Sequence, residues 1–164
     1  MLKLYKSFSF IGDPVDISQM TDEEKKALKF EVTTVIGNKK YYVAYQDASI
    51  PGNIHGKWAK LVEYTNESEI VPFTYANFND GMLVLENLPL GTYTIKEYED
   101  ENGVFTGYTW SAATVKVGRN GTATEFAATA DTPITVVTPE DDVTLAEGDF
   151  TQVFFTNTYK QEKT

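Results

Sequence analysis

Three segments of this chain alternate polar and apolar residues, and each carries one polar residue on its apolar face. Side chains of a β-strand point alternately to opposite faces of the sheet, so residues two apart share a face. The interrupting residues are Lys6 in LKLYKSF, Glu97 in GTYTIKEYE and Asn157 in QVFFTNTY. An amine, a carboxyl group and a carboxamide are therefore predicted to point into a hydrophobic core.

The composition favours a mainly β domain. The chain has 164 residues, of which 41% are hydrophobic and 13% aromatic, and it contains no cysteine. Aromatic and β-branched residues are enriched in strands, and this length suits one compact domain. We predict a single domain over residues 1–160, followed by a polar tail or linker at 161–164. Without cysteine there are no disulfides and no thiolate metal sites, so a covalent staple requires other chemistry.

Charge and hydropathy disfavour several classes of partner. A net charge of -10 disfavours binding to nucleic acid or to an anionic membrane surface. No apolar run reaches the length of a membrane span, and the N-terminus lacks the pattern of a signal peptide. We expect no nucleic acid partner, no membrane insertion of this segment and no cofactor, and we interpret the chain as a domain of a longer protein.

Turn residues divide the chain into about ten short strands. Thr21 followed by Glu24 is a capping box, which predicts a short helix, and Gly37 with Asn38 indicates a hairpin. Residues 46–71 lack a regular pattern and are predicted to form an irregular insertion. Many short strands separated by turns are typical of an all-β, immunoglobulin-like β-sandwich. Strands are predicted at 2–10, from 28 to about 34, and at 41–45, 71–76, 82–85, 93–98, 108–117, 122–127, 134–137 and 151–159.

Burial would change the chemistry of Lys6 and Glu97. Lysine and glutamate are almost never fully buried unless paired. Desolvation disfavours their charged forms, which lowers the pKa of Lys6 and raises that of Glu97. A neutral amine is a nucleophile, and a neutral carboxylic acid can polarise the Asn157 carbonyl and relay protons to departing ammonia. The product would be an isopeptide bond from Lys6 to Asn157, formed once during folding without a cofactor.

Other interpretations of the same residues are open. A buried salt bridge between Lys6 and Glu97, with Asn157 hydrogen-bonded beside it, fits the pattern as well. Lys3 competes for the role of the amine, although alternation places it on the opposite, more polar face. Glu99 continues the row of Glu97 but lies nearer a turn.

The three segments together resemble the motif blocks of Cna B-type (SpaA-like) domains, the self-cross-linking immunoglobulin-like modules of Gram-positive surface adhesins and pilins. The similarity rests on LxLxKxF at the start, LPxGxYxxxE in the middle and VxFxNxY at the end. It implies that Lys6 and Asn157 are the bonded pair, that Glu97 is the catalytic acid, and that the first and last strands lie side by side. It also implies a structural module of an extracellular, cell-wall-anchored protein, with neighbouring domains or subunits as partners.

The alternative hypothesis is an adhesin module that binds a host protein or glycan through residues 46–71. Loops on a rigid scaffold are frequent recognition sites, and this segment contains Trp58 and Tyr64 as possible ligand-binding residues. Ordered packing of the segment would favour the structural module, whereas an exposed aromatic patch would favour binding. A hydrolase finds no support, because no nucleophile elbow or metal motif is visible.

Three further features of the sequence are not interpreted as metal-binding or sugar-binding sites. His55 is the single histidine, so we expect no metal site there. Acidic residues between 140 and 149 lack the spacing of a calcium loop and are expected to form a solvated surface. Trp58 and Trp110 could form a sugar platform, but core packing is the more common fate of tryptophan in a sandwich.

Overall fold

The chain forms eleven strands and little helix within the residues that a computed structural model describes, which are 2–45, 58–86, 88–89, 92–119, 122–128, 133–137 and 151–162. The strands are β1 (Leu2–Ile11), β2 (Leu28–Ile36), β3 (Lys39–Tyr45), β4 (Ala59–Tyr64), β5 (Phe73–Thr74), β6 (Met82–Leu85), β7 (Thr92–Glu99), β8 (Tyr108–Arg119), β9 (Thr122–Ala128), β10 (Pro133–Val137) and β11 (Thr151–Gln161). The α-helix in these residues, α1, covers Asp22–Ala27, and 3-10 turns cover Ile17–Gln19, Glu67–Glu69 and Tyr75–Asn77.

The strands form two sheets that share one hydrophobic core. The first sheet has the order β6-β1-β11-β8-β9, and the second has the order β10-β7-β2-β3-β4, with β5 paired to β2. Buried residues of both sheets belong to one cluster, in which the ring centroids of Phe30 on β2 and Phe155 on β11 are 5.5 Å apart. The predicted all-β sandwich is confirmed.

The first and last strands are neighbours, as the motif resemblance implied. β1 pairs with β11 in parallel from Leu2 opposite Thr151 to Ile11 opposite Lys160. β1 also pairs with β6, and β11 with β8, so both are interior strands of the first sheet. Parallel strands cannot be joined by a tight turn, and the chain between β1 and β11 supplies strands of both sheets.

The two local motifs have the predicted structure. Thr21 caps α1 by accepting a hydrogen bond from the Glu24 backbone at 3.1 Å, while the Glu24 side chain accepts from the Thr21 backbone at 2.8 Å. Gly37 and Asn38 both have positive φ, at 57° and 69°, and connect β2 to β3. Two consecutive positive φ values match the twist of a tight hairpin, which few residues other than glycine and asparagine tolerate.

Two predictions for the middle of the chain were wrong. Within the segment 46–71, residues 59–64 form β4, which is paired with β3 along its whole length. Leu61 and Val62 are adjacent apolar residues, so the sequence of β4 does not alternate between apolar and polar residues. The strand forms because its backbone pairs with the edge of β3. The strand predicted over 71–76 is reduced to Phe73–Thr74, because the chain then turns and the Asn77 side chain accepts from the Thr74 backbone at 2.9 Å. Residues 46–57 lie outside the described residues.

Candidate functional site

Lys6, Glu97 and Asn157 meet in the core between the two sheets. Lys6 on β1 and Asn157 on β11 belong to neighbouring strands of the first sheet, and Glu97 on β7 belongs to the second. Lys6 lies opposite Phe155 and Phe8 lies opposite Asn157, so Asn157 is the diagonal neighbour of Lys6. The site therefore joins three strands that are far apart in sequence.

All three side chains are buried. Lys6 is 6% exposed, Glu97 is 5% exposed and Asn157 is fully buried, and the Lys6 side chain by itself has no exposed surface. The residues two positions earlier in each row are also buried, as the alternation predicts; they are Leu4, Ile95 and Phe155. The polar groups thus occupy positions that hydrocarbon would otherwise fill.

The Glu97 carboxylate contacts both other groups through one oxygen. Its Oε2 lies 3.0 Å from Lys6 Nζ and accepts a hydrogen bond from Asn157 Nδ2 at 2.9 Å. The sequence predicted a contact with the carbonyl oxygen of Asn157, whereas the structure has Glu97 against the amide nitrogen. Glu97 is consequently in position to move a proton between the two nitrogens.

Burial has the largest influence on the pKa of both ionisable groups. It lowers the pKa of Lys6 to about 8, although the Glu97 carboxylate opposes this change. Burial also raises the pKa of Glu97, against the opposing effects of Lys6 and Asn157. Both shifts favour the neutral amine and the neutral carboxylic acid, so they reduce the free-energy difference between the ion pair and the neutral pair.

Aromatic rings surround the amine. The ring centroids of Phe8 and Trp110 lie 5.1 and 5.9 Å from Lys6 Nζ. Trp110 reaches this position through a bulge, because the register of β8 against β11 skips Ser111 and leaves Trp110 opposite Tyr159. A bulge changes which face the following side chains occupy. Trp110 packs against the core cluster, as expected.

A cleft of about 430 Å³ opens beside the site. Its lining contains Lys6 and, among others, Phe8, Ile17, Lys25, Tyr75 and Asp80. The Lys6 side chain is nevertheless fully covered. The cleft therefore brings solvent next to the site, whereas the Lys6 amine itself is shielded from solvent.

The two competing residues lie away from the three-group contact. Lys3 is partly exposed on the other face of β1, where Tyr5 stacks on Phe154 with ring centroids 4.5 Å apart. Glu99 is half-buried at the end of β7. The geometry thus selects Lys6 and Glu97 as the groups next to Asn157.

The possible ligand-binding residues Trp58 and Tyr64 lie at opposite ends of β4. Trp58 precedes the strand and forms an isolated bridge with Glu86, whereas Tyr64 ends it opposite Lys40. Six residues of extended chain separate the two rings by roughly 20 Å. Tyr64 is 9% exposed and Trp58 is half-buried, so the two do not form one exposed aromatic surface.

Other site types have little support in the described part of the chain. No three histidine or acidic residues of it are grouped as metal ligands, and none of its helices has the length and apolar character of a membrane span. His55 and the acidic residues of 140–149 lie outside the described residues.

Comparisons with known proteins give structural matches of low sequence identity. No family model and no curated protein matches this chain. A major pilin from Streptococcus pyogenes matches with a TM-score of 0.46 and 16% identity over 97% of this chain and 47% of the pilin. A second major pilin from Streptococcus pyogenes matches with a TM-score of 0.42 and 17% identity over 96% of this chain and 44% of the pilin. The chain spans less than half the length of these pilins.

Proposed function

We propose that residues 1–160 are a structural module of a Gram-positive pilus or adhesin, stabilised by an intramolecular isopeptide bond between Lys6 and Asn157. The observation that carries the proposal is the buried contact of an amine and a carboxamide with one carboxylate oxygen, at 3.0 and 2.9 Å. The motif blocks that resemble Cna B-type domains contain these same three residues. The module would be extracellular, with neighbouring domains or subunits of a cell-wall-anchored protein as its partners.

The proposed reaction starts with a proton transfer inside the buried pair. The Lys6 ammonium passes one proton to the Glu97 carboxylate, which leaves a neutral amine and a neutral acid. Nζ of Lys6 then attacks Cγ of Asn157, and negative charge develops on Oδ1. Folding supplies both the proximity and the dry surroundings, which give well-oriented intramolecular reactions their large effective molarities.

The tetrahedral intermediate then releases ammonia. One carbon–nitrogen bond to Lys6 forms and the bond from Cγ to Nδ2 breaks. The attacking nitrogen loses one proton and the departing nitrogen gains one, and Glu97 can carry it because its Oε2 contacts both atoms. Glu97 still holds the first proton from Lys6 at this point and returns to the carboxylate when that proton leaves with ammonia as ammonium. The chain stays modified, so the module performs a single turnover on itself and is not an enzyme in the usual sense.

The topology suits a load-bearing role. Because β1 and β11 are parallel neighbours, the chain enters this pair at one end and leaves it at the other. Tension between the termini would pass through the Lys6–Asn157 bond, leaving nearly all the intervening chain outside the load path. By analogy with disulfides, closing this loop stabilises the fold by about 5 kcal/mol, and it also slows unfolding and proteolysis.

The described part of segment 46–71 supports the structural module over the host-binding alternative. β4 is paired with β3 along its whole length, and Trp58 and Tyr64 lie at its two ends. A recognition surface built on exposed aromatic rings would need them close together and accessible.

The intact mass of the protein tests the cross-link. The purified chain is expected to weigh less than its sequence by one ammonia molecule, and fragmentation should locate the link between the peptides of Lys6 and Asn157. Lys6→Arg should restore the full mass, whereas the matched variant Lys3→Arg should still lose ammonia. A natural chain with its full sequence mass would refute the proposal.

A further inference from the structure

Apart from Lys6 Nζ, which is ion-paired with Glu97, two buried side-chain polar atoms at the site lack a hydrogen bond to any described residue, each other included: Oδ1 of Asn157 and the hydroxyl oxygen of Tyr159. The two residues are neighbours on the core face of β11 and are at most 1% exposed. A buried hydroxyl without a partner costs free energy. A carbonyl oxygen accepts hydrogen bonds and a hydroxyl can donate one, so the two groups are chemically complementary.

The arrangement of Glu97 leaves the carbonyl side of Asn157 without a donor. Glu97 Oε2 is engaged with the amide nitrogen and with the Lys6 amine. When an amine attacks an amide, however, the negative charge develops on the carbonyl oxygen. Stabilising that oxygen with a positioned donor is usually a large contribution to catalysis.

We propose that the Tyr159 hydroxyl turns to donate to Oδ1 of Asn157 as negative charge develops there, and so stabilises the oxyanion during cross-linking. This inference rests on the proposed isopeptide reaction and adds a fourth residue to it. Tyr159 gives up no proton in this role. The hydrogen bond forms as charge develops on Oδ1 and then remains on the carbonyl of the finished isopeptide bond.

The surroundings of Tyr159 suit a fixed donor. Its ring packs edge-on against Phe105, with centroids 5.0 Å apart, and lies 6.1 Å from Phe8 and 6.2 Å from Trp110. Burial raises the pKa of Tyr159; the Asn157 side chain opposes this, and the Glu99 and Glu97 carboxylates add to it. The hydroxyl consequently keeps its proton at neutral pH.

The rate of cross-linking in Tyr159→Phe tests the inference. The un-cross-linked full chain, isolated in guanidinium directly after rapid synthesis, is diluted to start folding, and ammonia loss is followed by mass spectrometry. Removal of an oxyanion donor should slow the reaction by about 10²-fold. The matched control is Tyr93→Phe, since Tyr93 is equally buried but its hydroxyl donates to the Pro89 carbonyl oxygen at 2.6 Å, away from the reacting atoms. This control should cross-link at the natural rate.

A second substitution separates hydrogen bonding from packing and does not depend on whether Tyr159→Phe folds. 3-Fluorotyrosine at position 159 keeps the shape of tyrosine and is a stronger hydrogen-bond donor, so it should cross-link faster than the natural chain. Equal rates for the natural chain, Tyr159→Phe and the fluorotyrosine chain would overturn the role of Tyr159 while leaving the isopeptide bond intact. Retention of ammonia by the natural chain would instead overturn the bond, and the Tyr159 inference with it.

Discussion

Two lysine–carboxylate pairs in the described part of the chain have similar geometry and different surroundings. Lys29 Nζ lies 2.6 Å from Asp100 Oδ1, and these side chains are 29% and 47% exposed. Lys6 Nζ lies 3.0 Å from Glu97 Oε2, and these side chains are 0% and 5% exposed. The exposed pair is thus the shorter one, whereas the Glu97 carboxylate of the buried pair also accepts a hydrogen bond from the Asn157 carboxamide. Under the proposed reaction, desolvation, and not the distance between the charges, would make such a pair reactive.

The physical difference lies in what water does for each pair. Water screens the Lys29–Asp100 attraction and solvates both charges, so the pair contributes little to stability. For Lys6 and Glu97 the Coulomb attraction repays the desolvation cost only in part. The remaining cost favours the neutral forms, which are the forms that can react.

The largest expected effect comes from breaking the buried pair. Glu97→Ala should retain the ammonia, which removes about 5 kcal/mol of loop-closure stabilisation, and it leaves a buried unpaired amine at a further cost of about 3–5 kcal/mol. Intact mass and thermal denaturation measure the two losses. Asp100→Ala, the same change in the exposed pair, should lose ammonia normally and destabilise by less than about 1 kcal/mol. Normal ammonia loss in Glu97→Ala would remove Glu97 from the mechanism.

The pH dependence of the cross-linking rate is expected to be a smaller effect than the loss of Glu97. It should depend on Lys6 and Glu97 and not on the exposed pair. Below the Lys6 pKa of about 8 the pair holds a proton that Glu97 can deliver to departing ammonia. As the pH rises above that value the proton is lost, so the rate should fall by about tenfold per pH unit. Dilution from guanidinium into buffers of different pH, followed by mass spectrometry, gives the profile.

The matched control for this profile is Asp100→Asn, which should leave its shape unchanged. A rate that keeps increasing above pH 8 would mean that the free amine alone limits the reaction. Glu97 would then not be its acid.

The smallest expected effect comes from the exposed pair. Lys29→Ala should destabilise the fold by less than about 1 kcal/mol, and the difference should decrease at high salt because exposed charges are screened. Urea denaturation at low and high ionic strength measures it. A loss of several kcal/mol at both salt concentrations would contradict the view that exposure to solvent makes the Lys29–Asp100 pair weak.

Local sequence patterns were sufficient to predict much of the fold. The alternation in β1, β7 and β11 predicted which residues are buried, and the observed strands extend beyond the predicted ends by one or two residues. Thr21 with Glu24, and Gly37 with Asn38, predicted a helix start and a hairpin, because capping and positive φ depend on a few adjacent residues. The pairing of β4 could not be predicted, since its hydrogen bonds depend on β3 and not on its own pattern.

Parts of the candidate site were also beyond sequence reasoning. Tyr159 was visible as a buried residue of its row, but only the unpaired Oδ1 of Asn157 suggests a partner for its hydroxyl. Trp110 comes to lie over Lys6 because the register of β8 skips Ser111. A bulge of this kind follows from strand pairing, although the large apolar residues of the segment do change from even positions (Tyr108, Trp110) to odd ones (Val115, Val117).

The sequence by itself determined that Lys6, Glu97 and Asn157 each point to the apolar side of a strand. That property is local, because the period of an extended chain assigns faces residue by residue. Only the tertiary structure decided that Lys6 and Asn157 both contact one carboxylate oxygen of Glu97, and that the contact with Asn157 is through its amide nitrogen. These contacts depend on the register of β1 against β11 and on how the second sheet packs over them, which are relations between segments far apart in the chain.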